Sequence, residues 1–148
     1  MTILRKQNLD KNPIVQFDRW FKEALESGET DPAVMNLATV GKDKKPSARM
    51  VLLKDFNQEG FQFFTNYKSR KGSELLENPY ASLTFYWPLL ERQIRIEGRI
   101  SKLPDITSDT YFASRLRGSQ ISASISPQSA EFPNRQYLEK HHAEFEKK

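Results

Sequence analysis

The stretch Arg49-Met50-Val51-Leu52-Leu53-Lys54-Asp55-Phe56-Asn57-Gln58-Glu59-Gly60-Phe61-Gln62-Phe63-Phe64-Thr65-Asn66-Tyr67-Lys68-Ser69-Arg70-Lys71 decides the fold class. Two runs rich in β-branched and aromatic residues, Ala48 to Lys54 and Phe61 to Asn66, flank Asp55 to Gly60, whose Asp, Asn and Gly are turn formers. Ser69 then reads as the N-cap of a short helix that runs to Glu77 and is closed by Asn78-Pro79. Working outward, Met35 to Val40, Ala81 to Trp87 and Gln93 to Ser101 have the same strand character, which makes five strands. The connections Gly41 to Pro46 and Asp55 to Gly60 are too short for the crossover that a parallel pair needs, so the first three strands are expected to form an antiparallel meander.

Helices flank this region. Asn12-Pro13 is an N-cap followed by proline at the first helical position, and Phe17, Trp20, Phe21, Ala24 and Leu25 then recur at helical spacing until Gly28. An aromatic stripe of this kind is far more often core than a cofactor box. Beyond Pro104, Asp105 to Ser114, Ser119 to Ser126 and Gln136 to Lys148 are expected as helices, the last containing Tyr137, Leu138, His141, His142 and Phe145. With 148 residues, no internal repeat and no linker-like segment, one domain over residues 1–148 is the expectation.

Composition narrows the function classes. Zero cysteines exclude disulfides, thiolate catalysis and Cys-based metal sites. His141 and His142 are adjacent in a polar helix and have no partner at metal-ligand spacing, so a solvated helix face is the better reading and no metal is expected. Six scattered glycines form neither a G-x-G-x-x-G fingerprint nor a P-loop. No apolar run approaches the roughly 18 residues of a membrane span and the first residues do not resemble a signal peptide, so a soluble, cytoplasmic protein without membrane association is expected. The net charge of +4 is compatible with nucleic acid, an anionic surface or phosphorylated small molecules, and selects none of them.

Position is more selective than net charge. Arg49 and Lys54 flank an apolar run, Thr65-Asn66 ends the next one, and Ser69-Arg70-Lys71 opens the helix. Free backbone N–H groups and partial positive charge at a helix start, joined by Arg and Lys, suit a phosphate. Spacing alone still slightly favours an ordinary exposed surface. A second cluster, Tyr111-Phe112-Ala113-Ser114-Arg115-Leu116-Arg117-Gly118-Ser119-Gln120, combines a phenol, guanidiniums and hydroxyls around a glycine turn, with Ser119 at a possible helix N-cap.

Taken in order, Arg49 to Lys54, Phe63-Phe64-Thr65-Asn66 with Ser69-Arg70-Lys71, Glu91-Arg92-Gln93, Tyr111-Phe112 with Ser114-Arg115 and Ser119-Gln120-Ile121, and Gln128-Ser129 resemble the pyridoxamine/pyridoxine 5′-phosphate oxidase family, its eukaryotic members in particular. The resemblance implies a mainly β fold with accessory helices, the antiparallel FMN-binding split β-barrel, working as a homodimer with FMN at the interface. It implies that Arg49 and Lys71 hold the FMN phosphate with Ser69 and Arg70 beside it. Met50, Val51, Leu52 and Lys54 belong to the same cofactor-binding strand, and Phe64 and Thr65 line the flavin site. Gln93, Gln128 and Ser129 would reach FMN from the other subunit, while Lys54, Tyr111, Arg115 and Ser119 would clamp the phosphate of the substrate. No residue is assigned a catalytic role of its own.

The implied reaction is oxidation of pyridoxamine or pyridoxine 5′-phosphate to pyridoxal 5′-phosphate, with O2 as electron acceptor and hydrogen peroxide released. Full-length family members continue with a Trp-Gly-Gly segment, a further Trp and an Arg-x-His pair that this sequence lacks, and their N-terminal Arg-x-x-Tyr element is not matched by Leu4-Arg5-Lys6-Gln7. A truncated or short form is therefore expected. Two rival readings are a non-catalytic split-barrel protein that binds FMN or pyridoxal phosphate and, ranked below it, a nucleic-acid-binding module. With the basic residues already placed in these motifs, nucleic acid is not an expected partner.

Overall fold

The computed structural model describes residues 4–125, 128–129, 131 and 133–146. Helix α1 (Pro13–Glu26) starts as expected: Asn12 Oδ1 accepts from the backbone N–H groups of Ile14 at 2.9 Å and Val15 at 3.4 Å, satisfying donors that the first helical turn leaves unpaired. Gly28, with φ at +86°, turns the chain after it. The strands are β1 (Val34–Val40), β2 (Pro46–Leu52), β3 (Asp55–Asn57), β4 (Gly60–Gln62), β5 (Tyr80–Trp87) and β6 (Arg92–Arg99). Strands β2-β1-β5-β6 form one sheet in that order and β3-β4 a separate hairpin. The antiparallel sheet with accessory helices agrees with the expected class.

The expected three-stranded meander is corrected at its third member. The segment read as one turn, Asp55 to Gly60, is a hairpin: Asp55, Phe56 and Asn57 face Gln62, Phe61 and Gly60 across a two-residue turn. The predicted strand Phe61 to Asn66 is regular only to Gln62. Asn66 ends it by serving the following turn, since its backbone oxygen accepts from Ser69 N–H and Oγ–H at 3.0 and 2.6 Å and its Oδ1 from Lys68 N–H at 2.9 Å.

Contacts divide the chain into two compact units. The first takes residues up to 38, 46–64 and 81–98. Its core joins Phe17 and Ala24 of α1 to Met35, Leu37, Leu53, Leu83, Phe85 and Trp87, with Trp20, Phe21, Val51, Phe56, Phe61, Ile94 and Ile96 packed around them. Trp87 is buried without cost to its indole, whose Nε1–H donates to Pro32 O at 3.0 Å. Leu25, predicted on the buried stripe, is 58% exposed.

The second unit takes residues 39–45, 65–80 and those from 99 onward. It carries α2 (Arg70–Glu77), α3 (Asp105–Ser114), α4 (Arg117–Ile125) and α5 (Arg135–Glu146), with α4 packed on α5. No described helix is long and apolar enough to cross a membrane.

Candidate functional site

In the first unit the pleat sorts the Arg49 strand into two sets of side chains. Ser47, Arg49 and Val51 are half-buried, while Ala48, Met50 and Leu52 are exposed. Val51 joins the core, and Arg49 is held by its Nη1–H to Leu37 O at 3.2 Å and Nη2–H to Ser47 Oγ at 2.5 Å. A ligand touching Arg49 through Leu52 would meet part of this run through its main chain. Lys54 lies at the base of the hairpin, its N–H donating to Gln62 O at 2.9 Å. Phe64 is half-buried just beyond that hairpin.

Gln93 is exposed on β6, where it alternates with Ile94 and Ile96, which pack on the core. It therefore projects from the face of the sheet opposite to that core.

In the second unit the strand-to-helix connection from Thr65 to Lys71 is arranged around the start of α2. Ser69 is fully buried and caps the helix, its Oγ accepting from Gly72 N–H at 3.4 Å while donating to Asn66 O. Lys71 is also buried, at 8% exposure, with Nζ donating to Gln128 Oε1 at 2.9 Å. Gln128 is thus brought to Lys71 of its own chain. Ser129 is exposed, with φ at +72°.

Thr65 Oγ1 is buried and has no hydrogen-bond partner among the described residues. Leaving such a group unsatisfied costs about 1–3 kcal/mol. An orphaned hydroxyl in the connection before a cationic helix start is a position that a ligand could complete.

Arg70 points its Nε–H at Glu74 Oε1, 2.8 Å away. A groove beside α2 is lined by Gly41, Lys42, Asp43, Arg70, Ser73, Glu74 and Glu77, three carboxylates against two cations, so any phosphate that Arg70 meets would lie outside this groove.

The Tyr111–Ser119 cluster spans the junction of α3 and α4. Tyr111 is half-buried in α3, and Arg115 ends that helix in extended conformation. Ser119 is not the N-cap that its sequence context suggests. The helix begins at Arg117, and Leu116 O accepts from Ser119 N–H at 2.9 Å and Gln120 N–H at 3.0 Å.

Gln120 carries a role that its place in the motif did not reveal. Its Nε2 donates to the carbonyls of Phe112, Ala113 and Arg115 at 3.1, 3.1 and 3.0 Å. It therefore satisfies oxygens that the end of α3 leaves open and fixes the link that carries Arg115. His141 Nδ1 lies 2.7 Å from Tyr137 O within α5, and no group of His, Asp or Glu among the described residues is arranged to hold a metal.

The antiparallel sheet with accessory helices is shared with FMN-binding split-barrel proteins, and the fold matches solved members of that class. It resembles the crystal structure of PhzG from Burkholderia lata in complex with tetrahydrophenazine-1-carboxylic acid, with a TM-score of 0.91 at 30% identity over 97% of this chain and 72% of that one. A pyridoxamine 5′-phosphate oxidase-related, FMN-binding protein from Nostoc punctiforme shares the fold at a TM-score of 0.65 and 18% identity, over 83% of this chain and 69% of that one.

Sequence comparison then specifies the family. The profile described as pyridoxamine 5′-phosphate oxidase matches residues 21–148, and the chain belongs to that family. It is 50% identical to the pyridoxine/pyridoxamine 5′-phosphate oxidase of Cupriavidus pinatubonensis over 98% of this chain and 68% of that protein. Identity to the Burkholderia ambifaria protein of the same name is 54%, over 92% of this chain and 64% of that protein. The chloroplastic pyridoxine/pyridoxamine 5′-phosphate oxidase 1 of Arabidopsis thaliana is 52% identical over 91% of this chain, which spans only 26% of the plant protein. Plant and bacterial relatives are thus about equally similar, and this chain accounts for roughly two thirds of the bacterial ones.

Proposed function

We propose that this chain is the FMN-binding part of an oxidase that converts pyridoxamine or pyridoxine 5′-phosphate to pyridoxal 5′-phosphate. The observation that carries the reading is the orphaned Thr65 hydroxyl in the same connection as the buried Lys71. A flavin phosphate needs cations and backbone donors, and a flavin ring system offers polar edge atoms to a hydroxyl. The donors from Thr65 to Lys71 suit such a ligand, and Arg49, oriented within the first unit by Leu37 O and Ser47, is assigned to the same phosphate by the family resemblance.

When bound, FMN supplies the two-electron acceptor for the hydride leaving the substrate's C4′ carbon, and O2 takes those electrons to give hydrogen peroxide. The protein's part is placement. Lys71 and Arg49 neutralise the cofactor phosphate, the start of α2 that Ser69 caps adds oriented N–H groups, and Phe64 excludes water from the approach. Lys54, Tyr111, Arg115 and Ser119 bind the substrate phosphate, with Gln120 holding the Arg115 link in shape. Identity of 50–54% to oxidases of vitamin B6 phosphates, against 30% to PhzG, favours this substrate class over a phenazine precursor.

The partner is a second copy of the chain. Met50, Leu52 and Tyr86 are 60%, 41% and 66% exposed on strands whose alternate residues are buried or half-buried, and Gln93 shares the outward register. A dimer formed on this face would cover the apolar side chains and let Gln93 reach the neighbouring cofactor.

The test is the absorbance spectrum of the purified, FMN-reconstituted chain before and after anaerobic addition of pyridoxamine 5′-phosphate. Bleaching of the flavin band followed by peroxide release in air is the expected result. A yellow protein that does not bleach is a binder only, and a chain that cannot be loaded with FMN contradicts the reading.

Thr65→Val separates ligand from structure. Removing an unpaired buried hydroxyl should leave the apoprotein as stable or about 1 kcal/mol more stable, while FMN binding weakens by about five- to tenfold. Urea unfolding of the apoprotein and FMN titration by quenching of flavin fluorescence provide the two numbers. A destabilised apoprotein with unchanged FMN affinity would contradict both expectations and remove the carrying observation.

A further inference from the structure

Helix α2 contains a buried acid that the cofactor reading does not use. Glu74 is 7% exposed, and its two oxygens go to different partners. Oε2 accepts from Thr39 Oγ–H at 2.5 Å, and Oε1 from Arg70 Nε–H at 2.8 Å. Thr39 is 1% exposed near the end of β1, so the carboxylate is tied at one end to a buried hydroxyl on a strand. A second tie joins the same helix to the loop after β1, where Lys42 N–H donates to Glu77 Oε2 at 3.0 Å.

A buried carboxylate one turn from a phosphate-binding helix start is electrostatically the wrong charge in the wrong place. It also carries a desolvation cost that an ordinary exposed i,i+4 ion pair does not. Both features make sense if its value lies in orienting a cation. The bond to Arg70 takes Nε and not the Nη nitrogens, which sets the plane of the guanidinium and leaves the bidentate edge out of the contact.

We propose that Glu74 is a positioning residue: anchored on Thr39, it holds the Arg70 guanidinium so that its Nη groups are presented to the phosphate of FMN. This inference rests on the cofactor reading above. It predicts that Glu74 acts on the phosphate and not on the flavin ring.

The experiment compares the affinities of the full chain for FMN and for riboflavin, the same ring system without phosphate, by flavin-fluorescence titration. Wild type should prefer FMN strongly. Glu74→Ala should reduce that preference by about tenfold, through FMN alone, and Glu74→Gln, which can still accept from Arg70, should restore most of it. In an Arg70→Ala background, Glu74→Ala should cost nothing further, because the residue acts through Arg70.

If Glu74→Ala does not fold, Thr39→Val loosens the anchor alone and should reduce the preference in the same direction by a smaller factor. Equal losses for FMN and riboflavin, or an unchanged ratio in whichever variant folds, overturn the positioning role. A wild type that binds FMN no better than riboflavin overturns the phosphate site itself and this inference with it. These outcomes keep the two failures apart.

Discussion

Lys71→Met should weaken FMN binding by about 10- to 100-fold while leaving riboflavin binding nearly unchanged. The ammonium is buried to 8% exposure at the start of α2 and donates to Gln128 Oε1 at 2.9 Å. In such a partly dry position a charge-assisted bond to a phosphate contributes about 1.5–3 kcal/mol, and each 1.4 kcal/mol is tenfold in affinity. Methionine keeps the length and apolar stem of the side chain but removes the charge. Stability of the apoprotein is measured alongside, because methionine removes the desolvation cost of the buried cation but also its bond to Gln128. Isothermal titration of apoprotein with each flavin, together with urea unfolding, decides the matter. A variant that loses both flavins in parallel would mean that Lys71 supports the fold of the second unit and not the phosphate.

Gln128 bears on the same experiment. The family resemblance places Gln128 on the cofactor of the other subunit, yet here its amide oxygen accepts from Lys71 of its own chain. For both residues to touch flavin in the expected way, this bond must open when the cofactor binds. In the wild type, FMN would then exchange one neutral acceptor at Lys71 for a dianionic one, which is the source of the discrimination that Lys71→Met should abolish.

Local chemistry was legible in the sequence wherever a residue acts on its immediate neighbours. Asn12-Pro13 and Ser69 marked helix starts because a side-chain acceptor two or three residues before an N–H is a local geometric fact, and both caps are present. Position along the chain was less legible where a residue had two possible duties. Asn66 looked like the end of a strand and instead closes the turn into α2, which shortened that strand to Gly60–Gln62. Ser119 looked like a cap, but the carbonyl of Leu116, which accepts from the Ser119 and Gln120 N–H groups, starts the helix earlier.

Least legible were pairings set by tertiary structure. Thr39 and Glu74 are separated by 35 positions, and nothing in either local sequence announces the bond. The same holds for the two faces of β2. A run such as Met50-Val51-Leu52 reads as uniformly apolar, and only the neighbouring strands decide that Val51 meets the core while Met50 and Leu52 do not.

Phe17→Ala should destabilise the chain by about 3–5 kcal/mol, the largest stability effect expected of any single truncation here. Phe17 is 3% exposed, and its ring centroid lies 4.9 Å from Phe56, 4.8 Å from Phe61, 5.2 Å from Phe85, 5.7 Å from Phe21 and 6.0 Å from Trp87. From α1 it meets rings of both hairpin strands and of β5, so no single neighbour can move in to fill its place. The pairs with Phe56 and Phe61 are edge-on, at 80° and 87°, the arrangement that the ring quadrupoles favour. Against a total stability of about 5–15 kcal/mol, that loss is a large share of what holds the domain folded. Urea unfolding should show a lower midpoint with an unchanged slope, whereas Leu25→Ala, on the same helix but 58% exposed, should shift the midpoint by no more than about 0.5 kcal/mol equivalent. A Phe17→Ala loss below about 1 kcal/mol would mean that the aromatic cluster is not the core of the first unit. Saturating FMN should recover part of the lost stability by mass action, since Phe17 is not among the groups assigned to the cofactor.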